Sequence, residues 1–148
     1  MSKNRVVSRT RVIKATPAEI FEILVDPSKH PLFDGSGTVK GAKSEASQRL
    51  ALGSTFGMDM KMGVPYGITN TVVEFEEGRL IAWRHMGGHR WRYVLEPLPA
   101  EKSTQVTESF DWSTSKAPMF IELARYPAKN AKSIEKTLDR LSELLDKR

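Results

Sequence analysis

Glu108 stands between Val106 and Phe110 in an alternating run that ends on Trp112, so its carboxyl points where three large apolar side chains point. Burying a carboxylate is costly unless it is paired, and burial alone favours the neutral form. Such a group can hold the polar end of a ligand or move a proton as general acid or base. It can equally be a structural partner for an inward Arg, Tyr or backbone group. His85 follows Ile81 and Trp83 along one strand face, either as a second acid–base group or as a strand-end residue half in water. Asn70, between Ile68 and Val72, is a third polar side chain on an apolar face, although Thr71, Val73 and Phe75 offer a rival face.

Other chemistry finds little support. His30, His85 and His89 are the three histidines, and no carboxylate makes a zinc-binding spacing with them. His85 and His89 flank a Gly-Gly turn, which lacks the one-face geometry of a helical metal pair. No nucleophile elbow is present. Gly35-Ser36-Gly37 lacks the third glycine and following helix of a phosphate loop. Neither a covalent nucleophile, a metal nor a cofactor is indicated.

These side chains must be held by strands, and the middle of the chain reads as a meander. Thr55 to Met62 alternates, with Phe56, Met58, Met60 and Met62 on one face and Thr55, Asp59 and Lys61 on the other. Further strands are predicted over Tyr66–Phe75, Arg79–His85, His89–Leu95 and Ser103–Trp112, separated by Gly- and Pro-containing turns. Three methionines in register make either ordinary core or an adaptable, polarisable wall. Trp83, Trp91 and Tyr93 are strand aromatics expected to face inward, where they floor a cavity or fill it. The absence of strand–helix alternation argues against a Rossmann-type fold.

The ends of the chain carry the helices. Arg5 to Lys14 reads as a strand, with Arg5, Arg9 and Arg11 on a solvated outer face and Ser8, Thr10 and Val12 inward. Thr16-Pro17-Ala18-Glu19 is a capping box with Pro at the first helical position, followed by the stripe Ile20, Phe21, Leu24, Val25. Asp26-Pro27 stops that helix and opens a second short one carrying His30, Leu32 and Phe33. A short strand is expected near Thr38 to Lys40. Met119, Phe120 and Leu123 are spaced like a short helical anchor before Pro127 interrupts it. From Asn130 to Leu145, Ala131, Ile134, Leu138, Leu141 and Leu145 form one apolar stripe down a terminal helix, widened by Leu144. Each buried Leu or Ile contributes roughly 1.5–3 kcal/mol, so this stripe requires an apolar surface to lie on.

With 148 residues, 39% of them hydrophobic, the chain suits one domain, 1–148, with a genuine core. No apolar run approaches the ~18 residues of a membrane span, and Met1-Ser-Lys-Asn-Arg lacks a signal peptide's apolar core. Stable membrane insertion is therefore not expected. With no cysteine there is no disulfide framework, and a soluble cytoplasmic protein is the expectation. The net charge of +5 is moderate and its basic residues are scattered among acids, so nucleic-acid binding is not expected.

Strand, two short helices, about six antiparallel strands and a long terminal helix, in that order, resemble the helix-grip fold. This is the START-like (SRPBCC) superfamily of polyketide cyclases, lipid-transfer domains and birch-pollen-allergen-type proteins. Ile13 to Phe21 resembles its opening strand-to-helix segment, and Asp26-Pro27 with His30-Pro31-Leu32-Phe33 its second helix. Gly53–Phe56, Val73–Glu76, Leu80–Trp83 and Thr104–Thr107 fall where its strand signatures fall, and Asn130–Leu141 resembles the start of its long helix. The resemblance implies an α+β fold, with a curved sheet of about seven strands wrapped round the helix and an apolar cavity between them.

It also implies a hydrophobic small-molecule ligand, such as a lipid or polyketide. The walls would be Phe56, Met58, Met60, Asn70 and Val72, then Trp83, His85, Trp91 and Tyr93, then Glu108 and Phe110, with Ile134 and Leu138 from the helix. Gly63, Pro65 and Tyr66 on one hairpin tip, with Met119, Phe120 and Leu123, would border the mouth. Two alternatives stand beside binding. One is a cyclase or dehydratase with Glu108 and His85 as its acid–base pair. The other is a protein-interaction module docking an acidic partner. Oligomeric state is left open.

Overall fold

The computed structural model describes residues 5–26, 29–33, 39–42, 49–62, 64–84, 88–98 and 102–146, with the backbone alone described at 31, 39–42, 57–62, 64–68 and 146. Strand β1 (Val6–Ile13) is followed by α1 (Pro17–Leu24) and a single turn, α2 (His30–Phe33). Six further strands follow: β2 (Val39–Ala42), β3 (Thr55–Met62), β4 (Val64–Glu76), β5 (Leu80–Arg84), β6 (Arg90–Pro97) and β7 (Thr104–Asp111). The chain then forms α3 (Pro118–Leu123) and the long α4 (Tyr126–Asp146). The strands make one antiparallel sheet in the order β1-β7-β6-β5-β4-β3-β2, with the four-residue β2 at one edge. Seven strands and a long final helix are the α+β helix-grip architecture expected from the sequence.

Local chemistry explains the elements. Thr16 caps α1 reciprocally, its hydroxyl accepting the Glu19 N–H while the Glu19 carboxylate accepts the Thr16 N–H. The apolar stripe of α1 is buried through Ile20, Phe21 and Leu24. On α4 the stripe Ala131, Ile134, Leu138, Leu141 and Leu145 is buried, and Leu144 packs at its margin. The helix rests mainly on β1 and β7, and touches α2 and α3.

The structure corrects two expectations. The arginine face of β1 is its inner, helix-facing side: Arg5 pairs with Glu122 of α3, and Arg9 and Arg11 with Glu135 and Asp139 of α4. Ser8 and Thr10 face outward instead, exchanging hydroxyl hydrogen bonds with Ser109 and Thr107 of β7, and Val12 is exposed. Long arginine stems reach over the helix margin while their heads stay in water, which a short Ser or Thr cannot do. The second correction concerns Pro127. It sits in the first turn of α4, where a missing N–H costs nothing, and the break lies two residues earlier at Arg125, whose φ is +61°. The terminal helix therefore starts at Tyr126, ahead of the expected Asn130.

Candidate functional site

The inner face of the sheet is built by alternation along β4 to β7. Asn70 and Val72 of β4, Ile81 and Trp83 of β5, Tyr93 and Leu95 of β6, and Val106, Glu108 and Phe110 of β7 are all buried. A β-bulge between Val72 and Glu74 explains the two rival faces of β4. One extra residue switches the alternation, so Asn70 and Val72 face the interior before the bulge and Phe75, edge-on to Phe21, after it. Glu74 is left on the outer face, where one carboxylate oxygen accepts from both Arg90 and Arg92.

At the β3–β5 side the interior is aromatic and closed by α2. Phe33 and Phe56 stand edge-on to the imidazole of His30, with centroids 5.3 Å away in both cases. Trp83 stacks on the same imidazole at 4.9 Å, and Tyr93 packs on Trp83 at 5.5 Å. His30 is buried, and its Nε2 lies 2.9 Å from the carbonyl of Leu24. Because a carbonyl only accepts, Nε2 carries the proton and Nδ1 keeps a lone pair. Burial in this aromatic setting lowers the imidazole pKa from 6.5 to about 4, against a smaller opposing effect of the Leu24 hydrogen bond. His30 is therefore neutral near pH 7.

On the α3 side lies a second aromatic group. Phe110 stacks on Trp112 at 5.6 Å and contacts Trp91 at 4.9 Å and His89 at 5.3 Å. The Trp112 indole N–H donates to Glu122 at 2.9 Å, which also accepts from Arg5 at 3.0 Å. Glu108, only 3% exposed, lies between the two aromatic groups, directly across from Tyr93 on β6 and Arg9 on β1. Ile134 and Leu138 of α4 are buried in the same core.

The structure thus brings together Phe56, Asn70, Val72, Trp83, Tyr93, Glu108, Phe110, Ile134 and Leu138, with Trp91 half-buried at their margin. Met119, Phe120 and Leu123 do not join them. On α3 it is Ile121 that turns inward, which leaves the other three on the exposed side of the helix. His85, Gly63 and the side chains of Met58, Met60 and Tyr66 lie outside the described residues. One residue of the interior, His30, was not among those expected there. Its only sequence signal is position in a one-turn helix beside Phe33, too short for periodicity to assign a face.

A family model described as polyketide cyclase/dehydrase and lipid transport matches residues 4–146. The chain belongs to that family. A protein of Mycobacterium tuberculosis is 40% identical over 142 residues, covering 93% of this chain and 62% of the relative. The chain thus spans 62% of the length of that curated relative. A polyketide-cyclase-like protein of Corynebacterium glutamicum shares the fold with a TM-score of 0.69 at 18% identity, over 99% of this chain and 94% of the other. A protein of Nitrosomonas europaea does so with a TM-score of 0.75 at 13% identity, over 99% and 97%. Membership of the polyketide cyclase/dehydrase and lipid transport family, with its fold, supports a ligand-binding role in general. Among the described residues no helix is long and apolar enough to cross a membrane, and no cluster of His and carboxylates could hold a metal.

Proposed function

We propose that this member of the polyketide cyclase/dehydrase and lipid transport family binds a hydrophobic small molecule with a polar end, between the inner sheet face and α4. The observation that carries this reading is the burial of Glu108, Asn70 and a neutral His30 among Trp83, Tyr93, Phe56 and Phe110. An interior that served packing alone would gain from replacing such groups with apolar ones, because desolvating them is unfavourable. A few placed polar groups on an otherwise apolar wall are the usual make-up of a small-molecule site. The rings supply area for an apolar body. Glu108 and Asn70 supply the groups that would orient its polar end.

The test is to identify, by native mass spectrometry, what the purified protein retains, and to titrate the emptied protein with a hydrophobic fluorophore. A retained lipid- or polyketide-like molecule, displaced by the fluorophore, is expected. A protein that retains nothing and takes up no fluorophore would refute the proposal. The position of Glu108 also favours a second reading, cyclase or dehydratase chemistry, in which this carboxyl exchanges a proton with a folded poly-β-ketone. In that case Glu108→Gln should abolish turnover and leave binding intact. Turnover that survives the substitution assigns Glu108 a structural role.

A further inference from the structure

The short helix α3 is built inside out with respect to solvent. Its side chains Met119, Phe120 and Leu123 are 67%, 63% and 82% exposed, and they share one face at spacings of one, three and four residues. Its only carboxylate, Glu122, is turned the other way and engaged by Arg5 and the Trp112 indole. The flanking charges are all positive. Between Asp111 and Glu135 the sequence has no acid other than Glu122, while Lys116, Arg125, Lys129 and Lys132 are all exposed. Lys129 extends over the ring of Tyr126, with its ammonium 5.7 Å from the centroid.

From this we infer that α3 is a docking tip for an anionic lipid surface. Three apolar side chains would enter the headgroup region, and the flanking lysines and arginine would meet the lipid phosphates. Both halves of the arrangement are needed. Apolar side chains on a short helix give weak partitioning alone, and cations near an anionic surface add to it. A protein partner fits less well. A stable protein interface engages roughly 20–30 residues a side, whereas this patch is under two turns of helix flanked in sequence by exposed cations. The inference does not depend on what fills the interior and goes beyond the binding role proposed above.

The experiment is sedimentation of the full chain with vesicles of mixed phosphatidylglycerol and phosphatidylcholine, against vesicles of phosphatidylcholine alone. Binding to the anionic vesicles is expected, at least about ten-fold weaker on neutral ones and weakened by salt. The double variants Phe120→Ser with Leu123→Ser, and Lys116→Glu with Lys129→Glu, should each lose about ten-fold or more. Arg79→Glu with Lys102→Glu makes the same change in net charge at the opposite end of the sheet and should leave binding near the wild-type level. Phe120→Trp should add a blue-shifted, lipid-quenchable emission on anionic vesicles. Absence of vesicle binding overturns the inference, even if the same face captures a protein. So does an equal loss in the Arg79/Lys102 control, or a Phe120→Trp emission that vesicles leave unchanged.

Discussion

The imidazole of His30 lies almost parallel to the indole of Trp83, with centroids 4.9 Å apart and 23° between planes. A stacked, buried ring whose single described hydrogen bond goes to the Leu24 carbonyl cannot accept a second proton cheaply. Burial lowers its pKa from 6.5 to about 4, so between those values the unfolded chain binds more protons than the folded one. Stability from this residue is complete above about pH 6.5 and is lost as pH falls through about 4. The loss should reach about 3 kcal/mol, a ceiling set by the shift itself. Urea titrations at high and low pH should show this difference for the wild type relative to His30→Gln, which cannot titrate. A pH-independent difference would mean that His30 is solvated in the folded state.

Gly88 should tolerate no side chain. Its φ is +98°, and a Cβ there would clash with the carbonyl oxygen of Thr114, a backbone atom that cannot swing aside. Gly88→Ala should therefore cost about 1–3 kcal/mol in denaturant midpoint. Gly53 and Gly78 also have positive φ, but a methyl group added at either would meet nothing within 4 Å. Alanine at either should cost about 1 kcal/mol, from backbone strain alone.

The arginines over α4 should matter little to stability. Arg9 and Arg11 and their carboxylate partners are 43–59% exposed, so each pair contributes at most about 1 kcal/mol. Arg9→Met and Arg11→Met should shift the unfolding midpoint only slightly. Ile134→Ala, on the stripe those arginines straddle, should cost about 2–5 kcal/mol because Ile134 is fully buried.

Thr16→Ala removes the acceptor of the Glu19 N–H and half of a reciprocal cap. A loss of about 1 kcal/mol is expected, measurable by thermal melting. Thr16→Ser should recover most of it.

What could be read from the residues follows from which signals are local. The α1 cap and the α4 stripe depend on neighbours three or four positions away, and both stand in the structure as the sequence spells them. The inward position of Glu108 followed from simple alternation on a strand without a bulge. On β1, alternation separates the arginines from Ser8, Thr10 and Val12 but cannot say which set meets the helix. That choice is made by Val7 and Ile13, which share the arginine face and pack into the core, and Glu135 and Asp139 of the distant helix then meet the arginine heads. In β4 the bulge after Val72 made both faces look apolar, so the burial of Asn70 was not decided by pattern. The surroundings of His30 come from β3, β5 and β6, and no local period announces them.

The pairing of the first strand with the last has a consequence for how the molecule is made. Val6 lies opposite Asp111 and Ile13 opposite Thr104, so β1 closes a loop of roughly a hundred residues. Loop closure on that scale is slow, and α4 rests chiefly on the two strands it brings together. On the ribosome, β1 emerges first and waits for nearly the whole sheet before its partner exists. During that wait its polar make-up, with two arginines, a serine and a threonine, disfavours pairing of the open edge with another chain. The arginines that contribute little to the finished fold are then valuable earlier, as protection for a nascent strand.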